Sequence, residues 1–296
     1  VFVAGATGRL GARIVRQLLL ESPQLRVRAG VRDPEKAAEY LRTAVDYGLL
    51  PADAARRVTL VPVDLTKPDT IAPAIGNAAK VVQAIGAPES EPFNFSNPKN
   101  IDGDGAIALV EAAKQLEVDQ FVMVTSLGTA KIGFPAAVLN LFGGILIQKR
   151  RAEVALEGSG LNYVIVRPGG MERPTDQYKA THNVTLAPKD TLFGGQVSRL
   201  QVAELVAAAV ANPELAENKV LEVVAEETKP LRSYEDLLTD APSDGSQAEK
   251  LERIRTQQEA AEQLEAARQR VRAPLFPQFC STQTALALVF VSKKLA

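Results

Sequence analysis

Short apolar runs alternate with helically spaced segments over the first two-thirds of the chain. Runs at 1–6, 25–31, 58–63, 80–85, 120–125 and 161–166 are bounded by turn residues and read as buried parallel strands. Between them, Leu10, Ile14, Leu18 and Leu19 mark one helical face, and Ile107, Leu109, Val110, Ala113 and Leu116 mark another. Strands alternating with helices predict right-handed crossovers and one parallel sheet covered on both faces, a doubly wound α/β fold of Rossmann type. Residues 35–57 are longer than one short helix needs and are punctuated by Tyr47-Gly48-Leu49-Leu50-Pro51, which predicts two helices. Residues 87–100 are polar, contain Pro88, Pro92 and Pro98, and read as a loop.

The pattern changes after about Val224. Residues 226–244 are polar and acidic, with Pro230 and Pro242. Residues 247–272 are rich in Glu, Arg, Gln and Ala and lack Gly and Pro, which predicts a strong helix. Leu251, Ile254, Ala261, Leu264 and Val271 form only a thin stripe, and Gln258 and Arg268 break the heptad, so a solvated helix is expected before a coiled coil. Beyond Pro274 come Leu275, Phe276 and Phe279, then a wholly apolar run at 285–291. This reading divides the chain into a dinucleotide-binding domain at 1–227, a linker at 228–246, and a charged helix with a short apolar end at 247–296. The segment 275–291 is expected either to fold back on the domain or to dock on a partner.

Composition narrows the function. The 296 residues carry 34 Lys plus Arg against 35 Asp plus Glu, a formal charge of −1, which argues against a dedicated nucleic-acid binder. One cysteine, Cys280, excludes an internal disulfide, and one histidine, His182, excludes a zinc site with several His ligands; no metal is expected. No apolar run is long enough to cross a bilayer as a helix. The chain opens directly on a strand at Val1, without Met, and is expected to lack natural N-terminal residues.

The strongest motif follows the first strand: Gly5-Ala6-Thr7-Gly8-Arg9-Leu10-Gly11. In such a turn Gly5 permits the sharp bend, Gly8 lets the backbone approach a pyrophosphate, and Gly11 lets the helix pack on the strand. The helix then offers free N–H groups and its positive dipole end to the anion. The second strand ends in Ala29-Gly30-Val31-Arg32-Asp33-Pro34. Arg32, with Arg9 and Lys36, supplies cations suited to a 2′-phosphate, which favours NADP over NAD. Asp33 either faces the ribose or caps the next helix. Asp64-Leu65 ends the third strand, where the carboxylate either accepts from an adenine amino group or caps a helix. Ile85 and Gly86 follow the fourth strand, where small residues let the backbone approach the cofactor ribose.

This turn, Asp64-Leu65, Val124-Thr125-Ser126 and Val166-Arg167-Pro168-Gly169 together resemble the atypical short-chain dehydrogenase/reductase superfamily. Longer runs over about 1–227 are similar to one plant and algal branch, associated with the inner chloroplast envelope translocon. They include Asn97-Pro98-Lys99-Asn100-Ile101-Asp102, Gly169-Gly170-Met171-Glu172-Arg173-Pro174-Thr175-Asp176 and Asp190-Thr191-Leu192-Phe193-Gly194-Gly195-Gln196-Val197-Ser198. The resemblance implies NADP(H) binding, with Pro168 and Gly169 at the cofactor. It implies that Ser126 stands at the substrate-orienting serine and Lys149 at the ribose-binding lysine. Four residues before Lys149, where the family carries its acid/base tyrosine, stands Ile145, which exchanges no proton. No catalytic residue is therefore expected. Ser126 and Tyr178 are the lesser candidates, His182 could titrate near neutral pH, and Tyr163 reads as core.

Arg167 is expected either to meet a phosphate or to close an internal salt bridge. Arg173 and Asp176 are expected to pair with each other, and 169–183 to cover the cofactor. The resemblance further implies a chloroplast location, in the stroma and peripheral to the inner envelope or thylakoid. Its implied partners are translocon components or ferredoxin–NADP reductase, the latter bound through Ser/Pro-rich repeats. After Glu227 this sequence has no such repeat, so docking through 275–291 is expected instead. The reading is a redox-sensing scaffold. Its alternatives are an NADPH-dependent reductase of a small or isoprenoid-like substrate, and a purely structural subunit.

Overall fold

The computed structural model describes residues 1–86, 96–130 and 144–244, and within them eight strands form one sheet. These are β1 (Phe2–Ala4), β2 (Val27–Val31), β3 (Val58–Pro62), β4 (Lys80–Gln83), β5 (Gln120–Val124), β6 (Tyr163–Pro168), β7 (Asn183–Pro188) and β8 (Lys219–Glu226). The order is β3-β2-β1-β4-β5-β6-β8-β7, parallel except for the antiparallel edge strand β7. The first six correspond to the six apolar runs. The last two are additions to the expected sheet. β8 is buried along all but its last residue, whereas β7 is a half-buried edge strand.

The helices are α1 (Arg9–Glu21), α2 (Pro34–Asp46), α3 (Ala54–Arg57), α4 (Ile71–Ile75), α5 (Ala106–Gln115), α6 (Ile145–Glu157), α7 (Arg199–Ala211), α8 (Pro213–Ala216) and α9 (Tyr234–Asp240). Local chemistry explains several boundaries. Asp33 accepts the Lys36 amide at 3.0 Å and Pro34 opens α2, so the capping role expected as one option for Asp33 is realised. Ser198 and Gln201 close a reciprocal capping box on α7. Residues 35–57 do form two helices, α2 and α3.

The apolar residues form two clusters, one on each face of the sheet. Ile14, Leu18, Ala37, Val202, Val206 and Leu238 represent the α1, α2, α7 and α9 layer. Ile71, Leu109, Val110, Ala152 and Leu156 represent the α4, α5 and α6 layer. Three expectations are corrected. Residues 98–100, read as loop, begin a π-helical segment, Pro98–Gly105, that runs into α5. Leu116, read as part of the α5 core face, is the helix C-cap and is exposed. The stretch read as linker contains α9, whose Leu237 and Leu238 are buried in the core and whose Leu238 carbonyl accepts from Lys219. The charged helix at 247–272 and the docking segment 275–291 lie outside the described residues.

Candidate functional site

The strand order reverses between β1, whose next chain neighbour β2 lies to one side, and β4, which lies to the other. In a doubly wound sheet, ligands bind in the crevice outside the carboxyl ends of the strands at this point. The glycine turn occupies it. Gly5 has φ +81, and a Cβ there would lie 2.7 Å from the Ile85 side chain and 3.0 Å from the Ala84 carbonyl. A Cβ on Gly11 would lie 2.0 Å from the Gly5 carbonyl oxygen. The two glycines thus press the turn against β4 and α1 against the turn. Thr7, Gly8 and Arg9 are exposed, and Gly8, at the N-cap of α1, supplies no side-chain cap to the first amides of the helix.

Arg9, Arg32 and Lys36 are all exposed, in the first turn of α1, after β2 and in the first turn of α2. The Lys36 Nζ lies 6.0 Å from the Tyr40 ring centroid, one turn along its own helix. Asp64 adopts a turn-capping role: one carboxylate oxygen accepts from the Thr66 amide at 3.0 Å and its hydroxyl at 2.7 Å. These bonds, with Lys67 and Arg32 nearby, hold the Asp64 carboxyl below the usual carboxylate range. Leu65 is buried in the core, so its side chain packs and does not face the crevice.

On the other side of the turn, Lys149 donates to Asp102 at 2.6 Å, with its own side chain 13 % exposed and that of Asp102 fully buried. Gly86 follows β4 beside them: a Cβ there would lie 3.5 Å from Asp102 Oδ1 and 3.7 Å from Lys149 Nζ. Ser126 is half-buried after β5, and Ile145 opens α6 one turn before Lys149. Gln83, at the end of β4, is buried; its amide donates to the Ile85 carbonyl at 3.0 Å and its Oε1 finds no partner among the described residues. Sequence reasoning missed Asp102 as a site residue. Its signal was an acid inside Ile101-Asp102-Gly103-Asp104-Gly105, where small neighbours allow close packing.

The remaining candidates fall into structural roles. Arg167 closes an internal salt bridge, the second of its two expected options. It is 1 % exposed and grips Glu153 through two bonds of 3.0 and 2.7 Å, while its third arm meets Asp190 at 2.8 Å. Glu153 also accepts from Thr125, Thr129 and Arg150. Glu222 accepts the successive amides of Asp190, Thr191 and Leu192. Pro168 is buried at the end of β6, and a Cβ on Gly169 would lie 2.5 Å from the Gly195 carbonyl, so Gly169 answers to the loop at 190–198.

The expected Arg173–Asp176 pair is replaced. Asp176 instead takes Arg13 of α1, at 2.8 and 3.0 Å, and Arg173 lines a cleft of about 530 Å³ beside them. Tyr178 stacks on His182, with centroids 3.7 Å apart, and packs against the α1–α7 layer. Burial, with Glu227 nearby, raises its phenol pKa. Lys149 stands on the helix of the opposite layer, so the structure does not bring these two together. Tyr163 is core, as expected. Among the described residues no group of three His, Cys, Asp or Glu side chains is placed to hold a metal, and no helix is long and apolar enough to cross a membrane.

The turn, its uncapped helix and the flanking cations fit a dinucleotide phosphate group. Comparison with known proteins agrees. The chain matches the NAD(P)H-binding family over residues 5–213. It is 53 % identical over 247 residues to Protein TIC 62, chloroplastic, of Arabidopsis thaliana, covering 82 % of this chain and 38 % of that one. It is equally 53 % identical to the Pisum sativum protein of the same name, covering 82 % and 46 %. The chain thus spans less than half the length of these relatives. Among solved structures, a putative NAD-dependent epimerase/dehydratase from Bacillus halodurans superposes with a TM-score of 0.62 at 23 % identity, covering 80 % of this chain and 97 % of that one. It supports the fold alone.

Proposed function

The chain belongs to the NAD(P)H-binding family and is a chloroplast protein akin to the TIC 62 proteins, and from that premise we propose that it is an NADP(H)-binding, non-catalytic, redox-sensing scaffold subunit of a membrane-associated chloroplast assembly. One observation carries the non-catalytic part. The crevice has its phosphate turn, its cations and its Lys149, while Ile145 stands where proton transfer would be needed.

The residues divide the work by chemistry. The turn at Gly5–Gly11 and the amino end of α1 take the pyrophosphate. Arg32, Arg9 and Lys36 take the 2′-phosphate, for which Arg32 offers a planar fork of donors. Lys149 holds the ribose on the β4 side. When bound, the nicotinamide supplies a carbon that gives or accepts hydride. Carbonyl reduction also needs a group that hands a proton to the product oxygen. Ile145 has none to give, and Tyr178, its ring stacked on His182, packs against the opposite layer from Lys149. The assembly we propose is the inner-envelope protein import translocon, or a thylakoid complex that tethers ferredoxin–NADP reductase. The motif runs at 169–176 and 190–198 support that choice, and 275–291 is the proposed docking segment.

Calorimetric titration with NADPH, NADP and NADH tests the reading. We expect micromolar binding of NADP(H), NADH weaker by about tenfold, and loss of that preference in Arg32→Ala, in keeping with one charge-assisted contact of about 1.5–3 kcal/mol. Absence of binding by every dinucleotide would overturn it. So would steady NADPH oxidation on a panel of carbonyl compounds that Tyr178→Phe abolishes without loss of binding.

A further inference from the structure

Asp102 and Lys149 form an ion pair whose acid is fully buried and whose base is nearly so. Both are held from outside the pair. Asp104, two residues on, binds Arg151 of α6 at 3.0 Å, and Gly103 lies so close to α6 that a Cβ would fall 2.6 Å from Gln148 Oε1. The π-helical segment is thereby clamped to α6 at the two residues that follow Asp102. The pair also reaches the backbone at Gly86, just beyond the carboxyl end of β4.

Across the crevice the order is β2 with Arg32, then β1 with the phosphate turn, then β4 with Gly86. A dinucleotide whose phosphates sit on the turn and whose 2′-phosphate meets Arg32 directs its other nucleoside toward β4. Among the described residues, Asp102 and Lys149 are the charged side chains that border Gly86 there. We propose that Asp102 is a positioning residue that fixes Lys149 and, by compensating its charge, sets how the site discriminates oxidised from reduced NADP. The proposal rests on the NADP(H)-binding reading above.

The physical reason is a difference of one charge. The oxidised nicotinamide ring is a cation and the reduced ring is neutral. A lysine ammonium without its carboxylate disfavours the cation, and a carboxylate without its ammonium favours it, most strongly where water is excluded. The intact pair holds the two effects against each other. A site reports redox state only through different affinities for the two forms, and Asp102 controls that difference here.

The test is calorimetry of the full chain with NADP and with NADPH, read as the ratio of the two dissociation constants. Asp102→Asn keeps the shape and removes the charge, and should weaken NADP relative to NADPH by about tenfold. Lys149→Met should shift the ratio the opposite way, and the double variant should return toward the parent value. A merely structural role for Asp102 would weaken both forms alike. An unchanged ratio, or shifts of the same sign in the two single variants, would overturn the proposal. Should Asp102→Asn not fold alone, the double variant is compared with Lys149→Met: a ratio of dissociation constants equal in the two would overturn the proposal. If the parent chain binds neither form, the NADP(H)-binding reading has failed, and that outcome is distinct.

Discussion

Gly11 and Gly8 belong to one motif but answer to different constraints. A Cβ on Gly11 would sit 2.0 Å from a backbone oxygen that cannot move without opening the turn, whereas the one close contact of a Cβ on exposed Gly8 is the Gly5 carbonyl at 3.2 Å. Gly11→Ala should therefore cost about 2–3 kcal/mol and abolish NADP(H) binding; an unchanged urea midpoint would contradict this. Gly8→Ala should leave the midpoint nearly unchanged and still lower NADP(H) affinity in calorimetry, because the added methyl group stands where the pyrophosphate approaches. Arg167 poses the opposite problem, a buried cation paired with Glu153 and Asp190 and lying 3.8 Å from the buried Glu222 carboxylate. Arg167→Met leaves Glu153 buried with half its compensation gone, and urea denaturation should register a loss of about 3–5 kcal/mol. The motif glycines were legible because a backbone demand leaves a residue-type signature. The partners of Arg167 were not, since Glu153 and Asp190 are 14 and 23 residues away and one strand or helix among many could have met it.

At the scale of elements, the six parallel strands and the helices over them were readable because burial on both faces leaves continuous apolar runs. The π-helical segment was not: its register places Asp102 against α6, and no periodicity announces a five-residue hydrogen-bond step. β7 was missed because an edge strand needs to bury only one side, and β8 because its apolar run abuts the compositional break that drew attention to the tail. Helix α9 was hidden in the same polar stretch. Its first residue, Tyr234, donates to Glu204 of α7 at 2.8 Å, and burial first, then Glu204, raises the phenol pKa. The folded state therefore keeps this proton where the unfolded chain releases it. The contribution is fully present below the unfolded tyrosine value near 10 and is lost as pH rises toward the folded one. Urea stability measured at pH 8 and pH 10.5 should fall between the two, and fall less in Tyr234→Phe. An equal fall in both proteins would assign the loss to other groups.

At the scale of the whole molecule, α9 tests where the folded body ends. The polar stretch after β8 suggested a chain leaving the domain, yet Leu238 is 0 % exposed in the α1–α7 layer and Leu231, seven residues earlier in the same stretch, is 84 % exposed. Backbone ties continue past the helix, since the Asp244 amide donates to the Asn218 carbonyl at 2.8 Å. If α9 is part of the cooperative unit, Leu238→Ala should lose about 2–5 kcal/mol, the sum of lost transfer energy and the cavity left behind. Leu231→Ala should change stability by no more than about 0.5 kcal/mol. Urea denaturation reads both, and near-equal midpoints would mean that α9 frays independently of the sheet. A second quantity separates fold from site. In the proposed site the cofactor lies at the carboxyl ends of the strands, so NADP(H) at about a hundredfold its dissociation constant should add about 2.7 kcal/mol to parent and Leu238→Ala alike. If the increment shrinks in Leu238→Ala, the helix and the crevice are energetically coupled through α7. If it does not, α9 and the crevice are stabilised separately, and the redox signal proposed for the cofactor would have to leave the crevice by a route other than α7.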